Sequence, residues 1–251
     1  MASAPSRARW ANLHRVKIHV GTSGFSYPAW KGAFYPADLP AKQMLSFYAQ
    51  RFSSCEINNT FYRMPKADAL AKWLSEVPDG FSFVLKAPQQ ITHRQRLVGS
   101  ADTLAHFWKT LESLGDKLGP ALFQLPPFQR KDLPRLADFL ALMPQGARAA
   151  FEFRHPSWFE DDVYATLAAR GAALCVAEAD DLQTPLVATA TWGYLRLRRV
   201  EYDEAALAAW NARVHEQASK WTETYVYFKH EDAGVGPRLA ARFEELAAAT
   251  T

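Results

Sequence analysis

AFEFRHPSW (residues 150–158) sets Phe151 and Phe153 alternating with Glu152 and Arg154, then runs through His155 and Pro156 toward a helix start. Residues two apart on a strand share a face. The carboxylate and the guanidinium therefore look one way and the two phenyl rings the other. An apolar face suits a covering helical layer, and the charged face then turns toward an interior lumen.

Working outward, seven further runs read as strands: KIHVG (17–21), SCEIN (54–58), FSFVLK (81–86), ALFQL (121–125), AALCVA (172–177), YLRLR (194–198) and TYVYFK (224–229). The opening stretch extends to RAAFEFR (148–154). Helical patterns fall near 41–51, 66–76, 101–117, 132–142, 158–170, 203–219 and 237–248. Strand alternating with helix argues for parallel βαβ units, and eight strands argue for a single TIM-like (β/α)8 barrel, with long βα loops at its C-terminal face. DLQTPLVAT, between the sixth and seventh strands, is weak as a helix. Ser157 with Glu160 three residues later predicts an N-cap, and Gly171 a helix end. Residues 1–15 read as a flexible basic tail and 16–251 as one domain.

Composition narrows the function class. The net charge of +3 is too small to mark a nucleic-acid protein by itself. Two cysteines, Cys55 and Cys175, make neither a disulfide framework nor a metal motif and fit a reduced, cytoplasmic setting. No apolar run is long enough to span a membrane, and the basic start lacks the apolar segment of a secretory signal.

Placing the larger apolar residues against the helices fixes the phase of most strands. Glu56, Asn58, Lys86, Gln124, Glu152, Arg154 and Arg196 then point inward near the strands' C-terminal ends. Strand eight stays open, with Tyr227 and Lys229 in one phase and Phe228 and His230 in the other. Buried charges need partners, and two carboxylates among three cations leave a positive remainder suited to an anion. The first βα loop, GTSGFSYPAWKGAFYP (21–36), offers Tyr27, Trp30 and Tyr35 for stacking, or else for a small apolar core of its own. The second loop brings Asn58, Asn59, Thr60 and Tyr62 to the same end, and the third brings His93 with Arg94 and Arg96. Trp158 and a Ser157-capped helix N-terminus follow strand five. Gly234 and Gly236 follow strand eight at the corner where such barrels hold phosphate. A metal could gather from His93, Glu152, His155, Glu178, Asp180, Asp181 and His230, but no compact ligand motif is present and Arg154 opposes a cation. No cofactor is therefore expected, a divalent metal standing as the lesser alternative.

Taken together, GTSGFSYPAWKGAFYP, CEINNTFYRMP, FVLKAPQQITH, LGPALFQLPP and FEFRHPSW resemble, in this order, the family called domain of unknown function 72, or YecE-like. The resemblance implies a TIM-like barrel. It also implies a shared polar mouth carried by Glu56, Asn58, Tyr62, Lys86, His93, Gln124, Glu152, Arg154, His155 and Trp158. The chain departs from that pattern at RLRRVEYD, where R-L-H-G is expected, and at YFKHEDAGVG, where asparagines commonly follow Y-F.

The resulting expectation is a barrel enzyme, a hydrolase, lyase or isomerase, acting on a small anionic substrate such as a phosphorylated sugar, a nucleotide or nucleic-acid phosphate. Glu56 or Glu152 would serve as general acid/base with His93 as partner, and Lys86 and Arg154 would hold the anion. Tyr27, Trp30, Tyr62, Asn58, Gln124, His155, Trp158 and Arg196 would complete the substrate site. One alternative is a non-catalytic nucleotide or nucleic-acid binder using Arg94, Arg96, Arg198 and Arg199. Others are a metal-dependent phosphoesterase resembling barrel repair endonucleases, and a glycosidase pairing Glu56 with Glu152.

Overall fold

Eight parallel strands close into a ring in the computed structural model, which describes residues 16–250. The strands are β1 (Lys17–Thr22), β2 (Ser54–Ile57), β3 (Ser82–Lys86), β4 (Leu118–Gln124), β5 (Ala149–Glu152), β6 (Ala173–Ala179), β8 (Trp192–Leu197) and β9 (Glu223–Phe228), with β7 (Leu182–Gln183) a short extra strand. Helices α1 (Met44–Ala49), α2 (Ala67–Glu76), α3 (Ala101–Glu112), α4 (Leu133–Ala141), α5 (Asp161–Ala168), α6 (Glu204–Glu216) and α7 (Val235–Ala249) cover the outside. Each predicted strand and helix has its counterpart within a few residues. The predicted basic tail lies outside the described residues.

Where the sequence was weak as a helix, between β6 and β8, the chain turns back as β7, pairing antiparallel with β6. Asp180 and Asp181 supply the turn and Pro185 blocks a helix, so among the described residues seven helices serve eight strands. The predicted Ser157 cap is corrected. His155 Nδ1 accepts from the Ser157 amide at 3.1 Å and holds Pro156–Trp158 in a tight 3-10 turn. Ser157 Oγ accepts instead from the Lys131 amide, and α5 starts only after Glu160. The helix N-terminus expected as an anion site at Ser157 is therefore not formed. Side-chain caps do form at Asp132, accepting from the Arg135 amide, and at Asp203, accepting from the Ala206 amide.

The alternation read from the sequence separates two cores. Against the helices lie Phe83, Phe123, Phe151 and Phe153, all fully buried, with Phe123 and Phe151 stacked at 5.3 Å between ring centres. Inside the ring, Val84, Leu122, Ala150, Ala173, Cys175, Trp192, Tyr194, Tyr225 and Tyr227 form a separate cluster. Strand eight is thereby settled, with Tyr227 inward and Phe228 outward. Alanines on β5 and β6 make room for the aromatic rings of β8 and β9, so the lumen is filled rather than hollow.

One seam differs from the others. β1 pairs with β9 over six register positions, but meets β2 through a single bridge, Ser23 to Glu56, with the Gly24 amide donating to the Glu56 carbonyl at 2.7 Å. Beside it the Tyr48 phenol accepts from the Thr22 amide at 2.8 Å and donates to the Ser54 carbonyl at 3.0 Å, standing in for ladder bonds. Gly21 makes this possible, since a Cβ there would lie 2.0 Å from the Ser54 carbonyl oxygen. Gly21→Ala is expected to cost about 3 kcal/mol, the upper end for overpacking. Urea unfolding would read it, and a loss under roughly 0.5 kcal/mol, the range of an ordinary surface change, would refute this account of the seam.

Candidate active site

The C-terminal ends of β2, β3, β4, β5 and β8 bring their inward residues into one network. Arg196, from β8, is its centre: only 1% exposed, it donates to Glu56 Oε1 at 2.8 Å and to Glu152 Oε2 at 2.5 Å. Glu56 also accepts from Ser23 Oγ at 2.7 Å and Tyr194 OH at 2.6 Å. Glu152 accepts from Gln124 Nε2 at 2.9 Å and Arg154 Nε at 3.0 Å, and the Arg198 guanidinium lies 3.7 Å away. Gln124 then turns its own oxygen to Lys86 Nζ at 2.8 Å. A hydrogen-bonded line thus runs from Lys86 across the lumen to Ser23.

Both carboxylates are held as anions. Burial by itself would raise each pKa, but Arg196 foremost, helped at Glu56 by Tyr194 and Ser23 and at Glu152 by Arg198 and Arg154, moves both below the ordinary carboxylate value. A carboxylate this well solvated by donors is a poor general acid near neutral pH, so the role expected of Glu56 and Glu152 does not fit their surroundings. The Arg196 guanidinium also occupies the space between them that a glycoside would need. Arg196 itself is corrected from substrate contact to an internal bridge, because it is buried and already shared by two anions.

The cations outnumber these anions. Arg154 and Arg198 keep 27% and 16% of their side chains exposed at the rim. Burial, with Arg196 next, lowers the pKa of Lys229, whose nearest carboxylate is the exposed Glu231 at 3.9 Å. Burial, followed by the Arg196 charge, pushes Lys86 down to about 8. Three buried donors of this neighbourhood, Asn58 Nδ2, Arg196 Nε and Arg198 Nε, have no acceptor among the described residues.

Phe61 organises the other side of Lys86. The Lys86 ammonium sits 4.2 Å from the centre of its ring, and His93 meets the same ring edge-on at 4.9 Å. His93 lies in a π-helical turn, Gln90–Arg94, and its Nδ1 bonds Thr92 Oγ1 at 2.9 Å. Burial, then Lys86 and Arg154, lowers its pKa, so the imidazole is neutral at pH 7. The turn ends in two successive left-handed non-glycine residues, Arg96 at φ 49° and Leu97 at φ 73°. Leu97 is held there by burial of its side chain, and strain of this kind is concentrated at functional sites.

Several expected ligand contacts are overturned. Trp30 is fully buried against Tyr27, Phe34 and Tyr35, so the first loop builds its own apolar core. Tyr27 is half-buried and donates to the Ser23 carbonyl at 2.8 Å. Trp158 is fully buried, stacked on Phe153 at 4.4 Å, with Nε1 donating to the Gln129 carbonyl at 2.7 Å. His155 holds the turn described above with one ring nitrogen. Tyr62 stands at the rim, 75% exposed, and is free to meet a ligand. Gly236, read as a phosphate-corner residue, packs under the His230 carbonyl, which a Cβ would approach to 2.8 Å.

The residues suggested for a metal are dispersed. Glu178 accepts from Trp210 Nε1, Asp180 from the Val200 amide, and His230 Nε2 bonds the Arg199 carbonyl. The described residues contain no group of three or more His, Cys, Asp or Glu side chains placed to hold a metal ion. Ser23, Phe61 and Tyr194 are the site residues that sequence reasoning missed. Tyr194 was within reach, since it shares the inward phase of Arg196 two residues on.

Fold and site together define a TIM-like barrel whose mouth is closed by a carboxylate–guanidinium network with cations to spare. The chain belongs to the family described as protein of unknown function DUF72, whose family model matches residues 19–251. UPF0759 protein YecE of Escherichia coli K12 is 30% identical over 143 residues, and UPF0759 protein YunF of Bacillus subtilis 28% over 155 residues. These matches cover 57% and 59% of this chain, which spans about half the length of either relative. A DUF72 family structure from Thermotoga maritima superposes with a TM-score of 0.82 at 27% identity, covering 92% of this chain and 99% of that one. One from Enterococcus faecalis has a TM-score of 0.75 at 16% identity, covering 94% and 99%, and shows the shared fold alone. Among the described residues no helix is long and apolar enough to cross a membrane.

Proposed function

We propose that the protein is an enzyme that takes a small anionic substrate at the C-terminal mouth of the barrel. The observation that carries this reading is the charge imbalance. Five cations, Lys86, Arg154, Arg196, Arg198 and Lys229, stand at this mouth with the two buried carboxylates Glu56 and Glu152, which pair with the three arginines. Among the described residues the exposed Glu231 is the one further anion paired with any of the five. An anion entering beside Arg154 and Arg198 meets cations already oriented by Glu152, so little reorganisation is needed to bind it or to stabilise charge developing on it. Glu56 and Glu152 act as fixed counter-charges, while proton transfer falls to Lys86, brought down to about 8, and to His93, which burial keeps neutral and able to accept a proton. Asn58 and Tyr62 at the rim give the substrate its remaining contacts.

A thermal-shift panel of phosphate, sulfate, sugar phosphates, nucleotides and short oligonucleotides tests this. At a hundred times its dissociation constant a ligand adds about 2.7 kcal/mol, a rise of several degrees at this chain length. That rise is expected for a small anion, and is expected to fall away in Arg154→Ala and Arg198→Ala. No rise with any anion in folded protein would sink the proposal, and a rise with oligonucleotides alone would return the non-catalytic reading.

A further inference from the structure

We infer that Lys86 is an imine-forming nucleophile and that the substrate is an anionic carbonyl compound. The inference rests on the mouth being the binding site, as proposed above.

Four observations converge on this amine. Lys86 ends β3 opposite Leu122, with its side chain in the mouth and only partly exposed. It has no carboxylate within salt-bridge distance among the described residues. Its hydrogen-bond partner is the neutral Gln124 amide, fixed by the bond to Glu152 so that its oxygen faces Nζ. On its other flank it meets the face of Phe61 rather than a charge. A lysine meant to hold an anion needs its proton; a lysine meant to attack a carbonyl must shed it. Burial beside the Arg196 guanidinium favours shedding, no carboxylate bonds the amine to hold its proton, and the lowered pKa agrees.

The bond changes are simple. The Nζ lone pair attacks the carbonyl carbon, the C–N bond forms, and the carbonyl π pair moves to oxygen, which takes a proton. Nitrogen gives up a proton, and the protonated hydroxyl leaves as water as the C=N bond forms. Amine, carbonyl and one proton enter; protonated imine and one water leave, and nothing is oxidised or reduced. The imine then draws electrons from an adjacent C–H or C–C bond, which directs the chemistry to a lyase or isomerase rather than a hydrolase. His93, against the same Phe61 ring, is placed to carry the protons, and Arg154 and Arg198 to hold the carboxylate or phosphate.

The full chain would be treated at pH 7 with sodium cyanoborohydride and, separately, pyruvate or dihydroxyacetone phosphate, then mapped by peptide mass spectrometry. The expected result is a reduced adduct on Lys86 at least tenfold above that on the exposed Lys66, Lys72 and Lys109, absent in Lys86→Arg. The arm that labels identifies the anion as carboxylate or phosphate. Equal labelling of all four lysines with both compounds, in wild-type protein, would overturn the inference without reliance on any variant's folding. Lactate and glycerol 3-phosphate, which carry the same anions but no carbonyl, would be run in parallel by thermal shift. A shift from either with no Lys86 adduct refutes imine formation and leaves the anion site standing. Neither shift nor adduct refutes both.

Discussion

Replacing Arg196 by methionine is expected to cost about 3–5 kcal/mol, the loss that follows when one partner of a buried ion pair is removed. The side chain bridges two fully buried carboxylates, and among the described residues no other cation pairs with Glu56. At this chain length the melting temperature should fall by roughly 10 °C. The pH dependence makes the test specific. In the wild type both carboxylates have folded pKa values below their unfolded ones, so their stabilisation is complete above the unfolded value of about 4.3 and is lost as pH falls through the folded values. In Arg196→Met burial dominates at Glu56, and its folded pKa moves above the unfolded one. Relative to the wild type, the variant should then gain stability as pH drops from 8 toward 5. A deficit that is constant across that range would show that the bridge is not what holds Glu56 ionised. Adding Glu56→Gln to the variant should recover part of the loss.

Trp158→Ala is expected to cost a similar amount, about 3–5 kcal/mol for truncating a fully buried tryptophan. Two contacts are lost, the stack on Phe153 at 4.4 Å and the bond from Nε1 to the Gln129 carbonyl at 2.7 Å. Trp158→Phe keeps most of the stack and gives up the bond, so about 1 kcal/mol is expected. Neither change should alter anion affinity in the protein that remains folded, measured by titration below its melting range. A variant of wild-type stability with weakened anion binding would reverse the assignment and return Trp158 to the ligand.

These two residues mark how far the sequence could be read. Period-two alternation on AFEFR and on YLRLR placed Glu152, Arg154 and Arg196 inside the barrel, because a strand with phenylalanines on one face has few other places for its charges. Alternation gives a direction but no distance. It could not say that Arg196 would reach both Glu56 and Glu152 and so be used up within the protein. Nor could composition tell an aromatic loop that covers a ligand from one that covers itself. Trp30 and Trp158 have the same chemistry in either role, and only packing against Phe34, Tyr35 and Phe153 decides. Phe61 and Ser23 were missed for the same reason, since a lone phenyl or hydroxyl carries no periodic signal. The π-helical turn that presents His93 was equally invisible, since it depends on Arg96 and Leu97 accepting backbone angles that neither prefers.

The seam between β1 and β2 has a consequence for how the chain assembles. The first strand's ladder lies with the last, Lys17 opposite Glu223 through Thr22 opposite Phe228. During synthesis the segments from β2 to β8 emerge and can zip neighbour to neighbour, while β1 must wait for a partner made some two hundred residues later. Closure is therefore the step with the largest loop entropy. It is also the step that brings Ser23 to Glu56. Glu56 gains this last donor only when the first strand has met the last, so this barrel completes its interior last.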